Sequence, residues 1–394
     1  MNTVEKTVRN EIGSFYEEEA LYKTWFLNGM EKKGRESAFS WINRCAIGKE
    51  IYYFQSGRSA LSAIATDVEK KNARKTVLMP SYLCETMITP FTCRGWKIVF
   101  YHVNELLYPN QIEIEELISK YNPGMILIIP YYGLNTVGNE IRKEIYRLCE
   151  GKKLLVCEDL TQSLALLESV FHEKTQPDYV IASLRKWFPI PEGGLCIANQ
   201  RMHFDYACIK NLFYSKQRKA QQLKKCYLNG VGEVELKEEF LCLHRDAEKE
   251  LAEVNEIYGI LPDTINDLNV CDIQSIFAKR HENALFLEMH LEDNNEIKKV
   301  FKMTPWNWSP IYYPIYTLKR EELQEFLKGC NIFSPVLWPL PEDLSKDRLT
   351  EAERQVYENM LCLPCDHRYS VMHMQQIIDS LHRYEKRQEE GDRL

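Results

Sequence analysis

The sequence predicts an α/β protein built on a mainly parallel sheet with helices on both faces. Three observations carry that prediction. Runs such as Thr76-Val77-Leu78-Met79, Met125-Ile126-Leu127-Ile128-Ile129 and Tyr179-Val180-Ile181-Ala182 are apolar throughout, which is the pattern of strands buried on both faces. Segments with helical spacing of apolar residues separate them, as in 59–71 with Leu61, Ile64, Ala65 and Val68. Polar residues of chemical interest follow directly on the strands, where open parallel sheets place their ligand crevice.

Taken in order, residues 1–50 read as a mainly helical arm carrying Phe15, Tyr16, Tyr22, Trp25, Phe26 and Trp41. Residues 51–290 form the large domain. Strands are expected at 51–54, 76–80, 97–103, 125–129, 154–157, 179–182 and 195–198, with helices at 59–71, 82–94, 112–121 and 140–149. Pro90 strains the second of these helices. The charged blocks 235–239 and 246–253 make 201–290 strongly helical, with one long helix and connecting segments. Residues 291–394 form a smaller α/β domain, with strands at 311–317 and 332–337 and helices at 321–328 and 373–383.

Composition narrows the function. The 394 residues are 45% apolar and 27% charged, enough to bury a large core without disulfide or metal staples. A net charge of −7 disfavours a nucleic-acid partner. No apolar run is long enough to span a membrane. The polar start Met1-Asn2-Thr3-Val4-Glu5-Lys6 lacks an export signal, so the 13 cysteines read as reduced thiols of a cytoplasmic protein. No metal is expected, because Cys362-x-x-Cys365 has no second pair at zinc spacing. His244-Arg245-Asp246 matches the start of a kinase catalytic loop, but no Asp-Phe-Gly or Gly-rich nucleotide loop accompanies it, and it reads as chance.

Three clusters could carry chemistry. Ser56-Gly57-Arg58-Ser59 opens a helix, either as an ordinary N-cap or as free N–H groups offered to a phosphate. Cys157-Glu158-Asp159-Leu160-Thr161-Gln162-Ser163 ends a strand. A carboxylate there can keep a ring nitrogen protonated, bind a metal, hydrogen-bond a ribose, or simply cap a helix. Ser183-Leu184-Arg185-Lys186-Trp187-Phe188 ends the next strand, with Glu192-Gly193-Gly194 behind it. Lys186 is either a desolvated nucleophilic amine or a surface lysine whose stem packs on Trp187. Together, an acid, a lysine and a phosphate turn at strand ends suit pyridoxal phosphate (PLP).

These stretches, with Met79-Pro80-Ser81-Tyr82, Trp338-Pro339 and Leu363-Pro364-Cys365-Asp366-His367-Arg368-Tyr369, resemble the DegT-type (DegT/DnrJ/StrS-like) sugar aminotransferases, PLP enzymes of fold type I. The resemblance covers roughly residues 50–385 and implies a seven-stranded, mainly parallel sheet plus the smaller C-terminal domain. It implies that Lys186 carries PLP as a Schiff base, that Asp159 pairs with the pyridinium nitrogen and that Gln162 lies near the ring hydroxyl. Ser183, Ser56 and the backbone of Gly57 and Arg58 would hold the phosphate, and Tyr82 or Cys84 would cover one ring face. The Ser-Leu-Arg-Lys spacing marks a divergent branch. So does Asp267-Leu268-Asn269, which stands where many members carry Asn-x-Arg toward a neighbouring subunit.

The expected activity is amino transfer from an amino acid, glutamate first, to a keto-sugar that can be nucleotide-linked, or to a similar keto compound, in a homodimer. Elimination, decarboxylation or desulfuration on the same cofactor is the alternative within PLP chemistry. A non-catalytic binding or regulatory relative is the alternative outside it. The aromatics Trp306, Trp308, Tyr312, Tyr313 and Trp338 read as core, with one or two lining the substrate site.

Overall fold

The computed structural model describes residues 9–18, 35–72, 74–231, 234–253, 256–302 and 308–391. Tyr22, Trp25, Phe26 and Trp306 lie outside the described residues. The chain begins with β1 (Ile12–Gly13) and α1 (Ala38–Cys45). The body follows as β2 (Glu50–Phe54), α2 (Gly57–Lys71), β3 (Thr76–Pro80), α3 (Glu85–Thr92), β4 (Lys97–Tyr101), α4 (Gln111–Tyr121), β5 (Met125–Ile128), α5 (Asn139–Lys152), β6 (Leu155–Asp159), α6 (Leu167–His172), β7 (Tyr179–Ser183) and β8 (Gly194–Ala198).

Seven of these strands form one sheet in the order β2-β8-β7-β6-β5-β3-β4. Strand β8 runs antiparallel to both its neighbours, and every other pair for which both strands adjoin is parallel. The central strands β5, β7 and β8 are buried at every position, as their unbroken apolar sequences predict. The edge strand β4 is exposed at Lys97 and only partly covered at Ile98 and Phe100. Pro90 sits in the last turn of α3, which ends two residues later.

Beyond the sheet come α7 (Leu212–Leu228), α8 (Val234–Glu253), α9 (Pro262–Val270) and α10 (Ile273–His290). The sequence suggested one long helix here. The structure has four helices among the described residues, α7 to α10, with α7 and α8 packed along each other, and residues 201–211 are not helical. The C-terminal module contains β9 (Lys298–Lys299), β10 (Tyr313–Tyr316), α11 (Arg320–Gly329), β11 (Ile332–Phe333), α12 (Glu351–Asn359), β12 (Met360–Leu363) and α13 (Val371–Gly391). Its sheet is antiparallel, β12-β10-β9. Strand β11 stops two residues short of Pro335 and pairs instead with β1, Ile12 facing Ile332. Ile12–Gly13, in the stretch expected as helix, are therefore extended where they add a strand to this module.

One carboxylate joins the two modules. Thr350 and Glu353 form a reciprocal capping box at the start of α12, with Glu353 N donating to Thr350 Oγ1 and Thr350 N donating to Glu353 (2.8 Å). The same buried carboxylate accepts from Ser81 Oγ and Val103 N and meets His102 Nδ1 at 2.9 Å, all on the large domain. Tyr357, one turn on, donates to the Ser81 carbonyl. Glu353→Ala should lower unfolding stability by on the order of 3 kcal/mol, because it strips the cap and leaves these partners unpaired. Urea denaturation reads this, and a loss below about 1 kcal/mol would contradict the role.

Candidate active site

Strands β6 and β7 deliver the site from adjacent carboxyl ends. Side chains alternate across a strand, so Glu158 and Asp159 face opposite sides of the sheet. Glu158 accepts from Arg142 at 2.8 and 3.2 Å and from the Tyr146 hydroxyl, tying β6 to α5. Asp159 faces a cavity of about 900 Å³. Its Oδ1 accepts from Thr161 N at 2.7 Å. Burial raises the Asp159 pKa, opposed by the Thr161 hydrogen bonds and by the charge of Lys186. Thr161 Oγ1 in turn accepts from Ser183 N at 3.0 Å, which locks the ends of β6 and β7 together.

Lys186 ends a single 3₁₀ turn, Leu184–Lys186, directly after β7. Leu184 N donates to Gly193 O at 2.9 Å, closing the loop behind the turn. Trp187 is fully buried, and its indole N–H donates to Thr161 O at 2.8 Å. Trp187 is anchored inward, and Lys186, half-buried, lies on the cavity wall. The Arg280 guanidinium lies over the Trp187 ring at 4.8 Å. It donates to the Pro310 and Ile311 carbonyls and to the Tyr16 hydroxyl (2.5 Å). That hydroxyl reaches the carbonyls of Trp187 and Lys186 at 3.3 and 3.5 Å. A segment near the start of the chain thus braces the turn that carries the lysine.

The third element is the amino end of α2. Ser56 Oγ accepts from Ser59 N at 3.1 Å, so the N-cap reading holds, and as the first two helical residues Gly57 and Arg58 have no partner for their amides within the helix. Gly194 presses on the same place: a Cβ there would lie 2.8 Å from Gly57 N and closer still to the Ser56 carbonyl. Glu192 is buried and accepts from Leu261 N (2.7 Å), Thr264 Oγ1 (3.2 Å) and Gln55 Nε2 (3.3 Å), which pins the residue before Ser56.

Ser56, Gly57, Arg58, Asp159, Ser183 and Lys186 all line the one cavity, as does Cys84. Two residues named from the sequence do not. Tyr82 is buried among Tyr131, Trp338 and Tyr357, with its hydroxyl 3.2 Å from that of Tyr132. Gln162 accepts from Tyr132 N at 3.1 Å and supports the loop after β5. Of the aromatics, Tyr312 and Trp338 line the cavity, whereas Trp308 and Tyr313 are core. Sequence reasoning missed Tyr16, Arg280, Gln217, Gln221 and Glu248. None carries a local motif, since each reaches the cavity only through tertiary packing. His244, set aside as a chance kinase match, also lines it. It sits within helix α8, stacks on Phe15 at 4.1 Å and meets Gln217 Oε1 at 2.8 Å, and burial pushes its pKa down to about 4.

The two acidic neighbours should separate by experiment. Glu158→Ala leaves Arg142 buried without its anion and should cost on the order of 3–5 kcal/mol in denaturant unfolding, whereas Asp159→Asn should change stability far less. Glu192 gives a pH signature. Burial pushes its pKa up to about 7 from 4.5, so the folded chain holds this proton more tightly than the unfolded chain. Its contribution is full below about pH 4.5 and is lost as pH rises to about 7. Glu192→Gln should flatten the fall in stability over that window by on the order of 2 kcal/mol, read from urea midpoints at about pH 5 and pH 8. Parallel pH profiles for the two chains would contradict it.

No family model and no curated protein matches the sequence. Solved structures do. PseC of Helicobacter pylori, an aminotransferase involved in the biosynthesis of pseudoaminic acid, is 16% identical over 95% of this chain and 99% of its own, with a TM-score of 0.60. Spr1654 of Streptococcus pneumoniae, solved in its PLP form, is 14% identical over 94% and 97%, at 0.63. The sugar aminotransferase CalS13 of Micromonospora echinospora is 13% identical over 95% and 99%, at 0.57. At this level of identity the likeness is one of architecture, and the chain has the fold of the fold type I sugar aminotransferases.

Proposed function

We propose that this protein is a PLP-dependent aminotransferase that moves an amino group from an amino acid, glutamate first, to a keto-sugar or a similar small keto compound. The observation that carries the reading is the convergence of Lys186, Asp159, Ser183 and the amino end of α2 on one cavity. The donor set fits the cofactor. Asp159 offers a buried carboxylate to a protonated ring nitrogen, and that contact would offset the burial that raises its pKa. Ser183 Oγ and the Gly57 and Arg58 amides suit a phosphate. Gln162 stands behind the loop after β5 in this reading and Cys84, not Tyr82, borders the ring.

When bound, the cofactor supplies an electron-accepting ring that stabilises charge developing on the substrate carbon. Lys186 Nζ takes a proton from that carbon and later returns one, acting as base and then acid. Trp187, Arg280 and Tyr16 hold the lysine's turn in place while it does so. Tyr16, Tyr312 and Trp338 line the cavity with aromatic surface that limits water. Gln217, Gln221 and a neutral His244 are uncharged hydrogen-bonding groups suited to hydroxyls, which supports a sugar acceptor, free or nucleotide-linked. A homodimer in the cytoplasm belongs to the same reading.

The test is spectroscopic. Wild-type protein loaded with PLP should show the visible band of lysine-bound cofactor, and glutamate should bleach it. Lys186→Ala should show no such band and should lose turnover. A band that no amino donor bleaches would favour elimination, decarboxylation or desulfuration over amino transfer. Full activity in Lys186→Ala would remove Lys186 from the chemistry.

A further inference from the structure

Arg58 is the second residue of α2, and its side chain lines the cavity beside Arg185. The two guanidinium groups differ in one respect. Arg185 is neutralised by Glu248 through two hydrogen bonds of 2.7 and 3.0 Å. Arg58 donates through Nη1 to the Leu251 carbonyl at 2.6 Å, and among the described residues no carboxylate lies within ion-pair distance of it. A partly buried guanidinium without a counter-charge is unfavourable. Burial, with the charge of Arg185 adding to it, holds its pKa below the ordinary arginine range.

An independent group marks the same place. Ser183 is 7% exposed, lines the cavity, and its Oγ has no hydrogen-bond partner among the described residues. Its Cβ lies 3.6 Å from where a Cβ on Gly57 would stand. The unbonded hydroxyl and the amino end of α2 therefore belong to one corner, and Arg58 stands on that helix end with its side chain on the same cavity wall, held to the Leu251 carbonyl. Their combined preference is for a compact dianion carrying several acceptor oxygens.

We propose that the Arg58 guanidinium is the counter-charge, supplied by the same chain, for a phosphate monoester dianion seated between Ser183 and the amino end of α2. The inference rests on the cofactor reading and assigns to a side chain what that reading gave to the backbone. Arg58 acts in binding and takes no part in proton transfer. Its contact to Leu251 ties the occupied corner to helix α8, so phosphate binding and the α7–α8 wall of the cavity are mechanically joined.

The experiment compares two probes on the full-length chain, PLP and pyridoxal, which lacks the phosphate. Arg58→Gln should weaken PLP by about tenfold to a hundredfold, the range for losing a charge-assisted hydrogen bond, and leave pyridoxal binding unchanged. Arg58→Lys should recover part of the loss. Unchanged pyridoxal binding also reports that the variant is folded. Equal weakening of both probes, or of neither, would overturn the assignment. Inorganic phosphate, titrated alone, separates this failure from that of the cofactor reading. If wild type binds phosphate and Arg58→Gln binds it less, while neither takes up PLP, the anion site stands and the cofactor reading falls.

Discussion

Gly194 lies opposite Phe54 on one side and Ser183 on the other, because antiparallel β8 is inserted between β2 and β7. Its lack of a side chain lets the Ser56–Gly57 backbone close onto the sheet. That approach brings the amino end of α2 beside Ser183, and Lys186 follows one 3₁₀ turn later on the wall of the same cavity. A side chain at 194 would drive the helix start away from the strand ends. The seat of the helix start on the strand ends therefore follows from one backbone contact. Glu192 reinforces it from below by holding Gln55 and Leu261.

Around that contact the site is held by groups that touch no ligand. Trp187 is drawn inward by Thr161 O, Arg280 covers its ring, and Tyr16 bridges Arg280 to the backbone of the lysine turn. The segment containing Tyr16 is itself fastened by Arg368, which donates to the Ser14 and Phe15 carbonyls and pairs with Glu17 and Asp366. The buried Asp366 is held well below the usual carboxylate range by Arg368 and Arg280 against the pull of desolvation. These charges belong to residues far apart in the chain that meet only in the folded state. They hold in place the turn that carries Lys186, which the proposed chemistry requires.

The sheet and the site also divide their carboxylates by physics. Glu158 and Asp159 differ by one position on β6. One is saturated by Arg142 and Tyr146 and holds a helix, and the other is held by Thr161 and faces the cavity. Glu353, fully enclosed, joins the modules at some remove from the lysine. A buried acid saturated by partners is architectural here, and the one with fewer partners faces the cavity.

Much of this was legible in the sequence. Strands buried on both faces reveal themselves as unbroken apolar runs, so the strands of the sheet and the helices between them, except the short Leu167–His172, could be placed to within a few residues, and the residues at strand ends followed. Ser56, Gly57, Arg58, Asp159, Ser183 and Lys186 are all local to such ends, which is why they could be named. Other features depended on contacts between distant segments. The pairing of Ile12 with Ile332, the division of 201–290 into separate helices, and the arrival of Tyr16, Arg280 and His244 at the cavity leave no periodic trace. The sequence alone determined which residues stand at the carboxyl ends of the strands, because period and apolarity are local properties. Only the tertiary structure decided which of them face the cavity, since burial and unpaired charge depend on what the rest of the chain brings alongside.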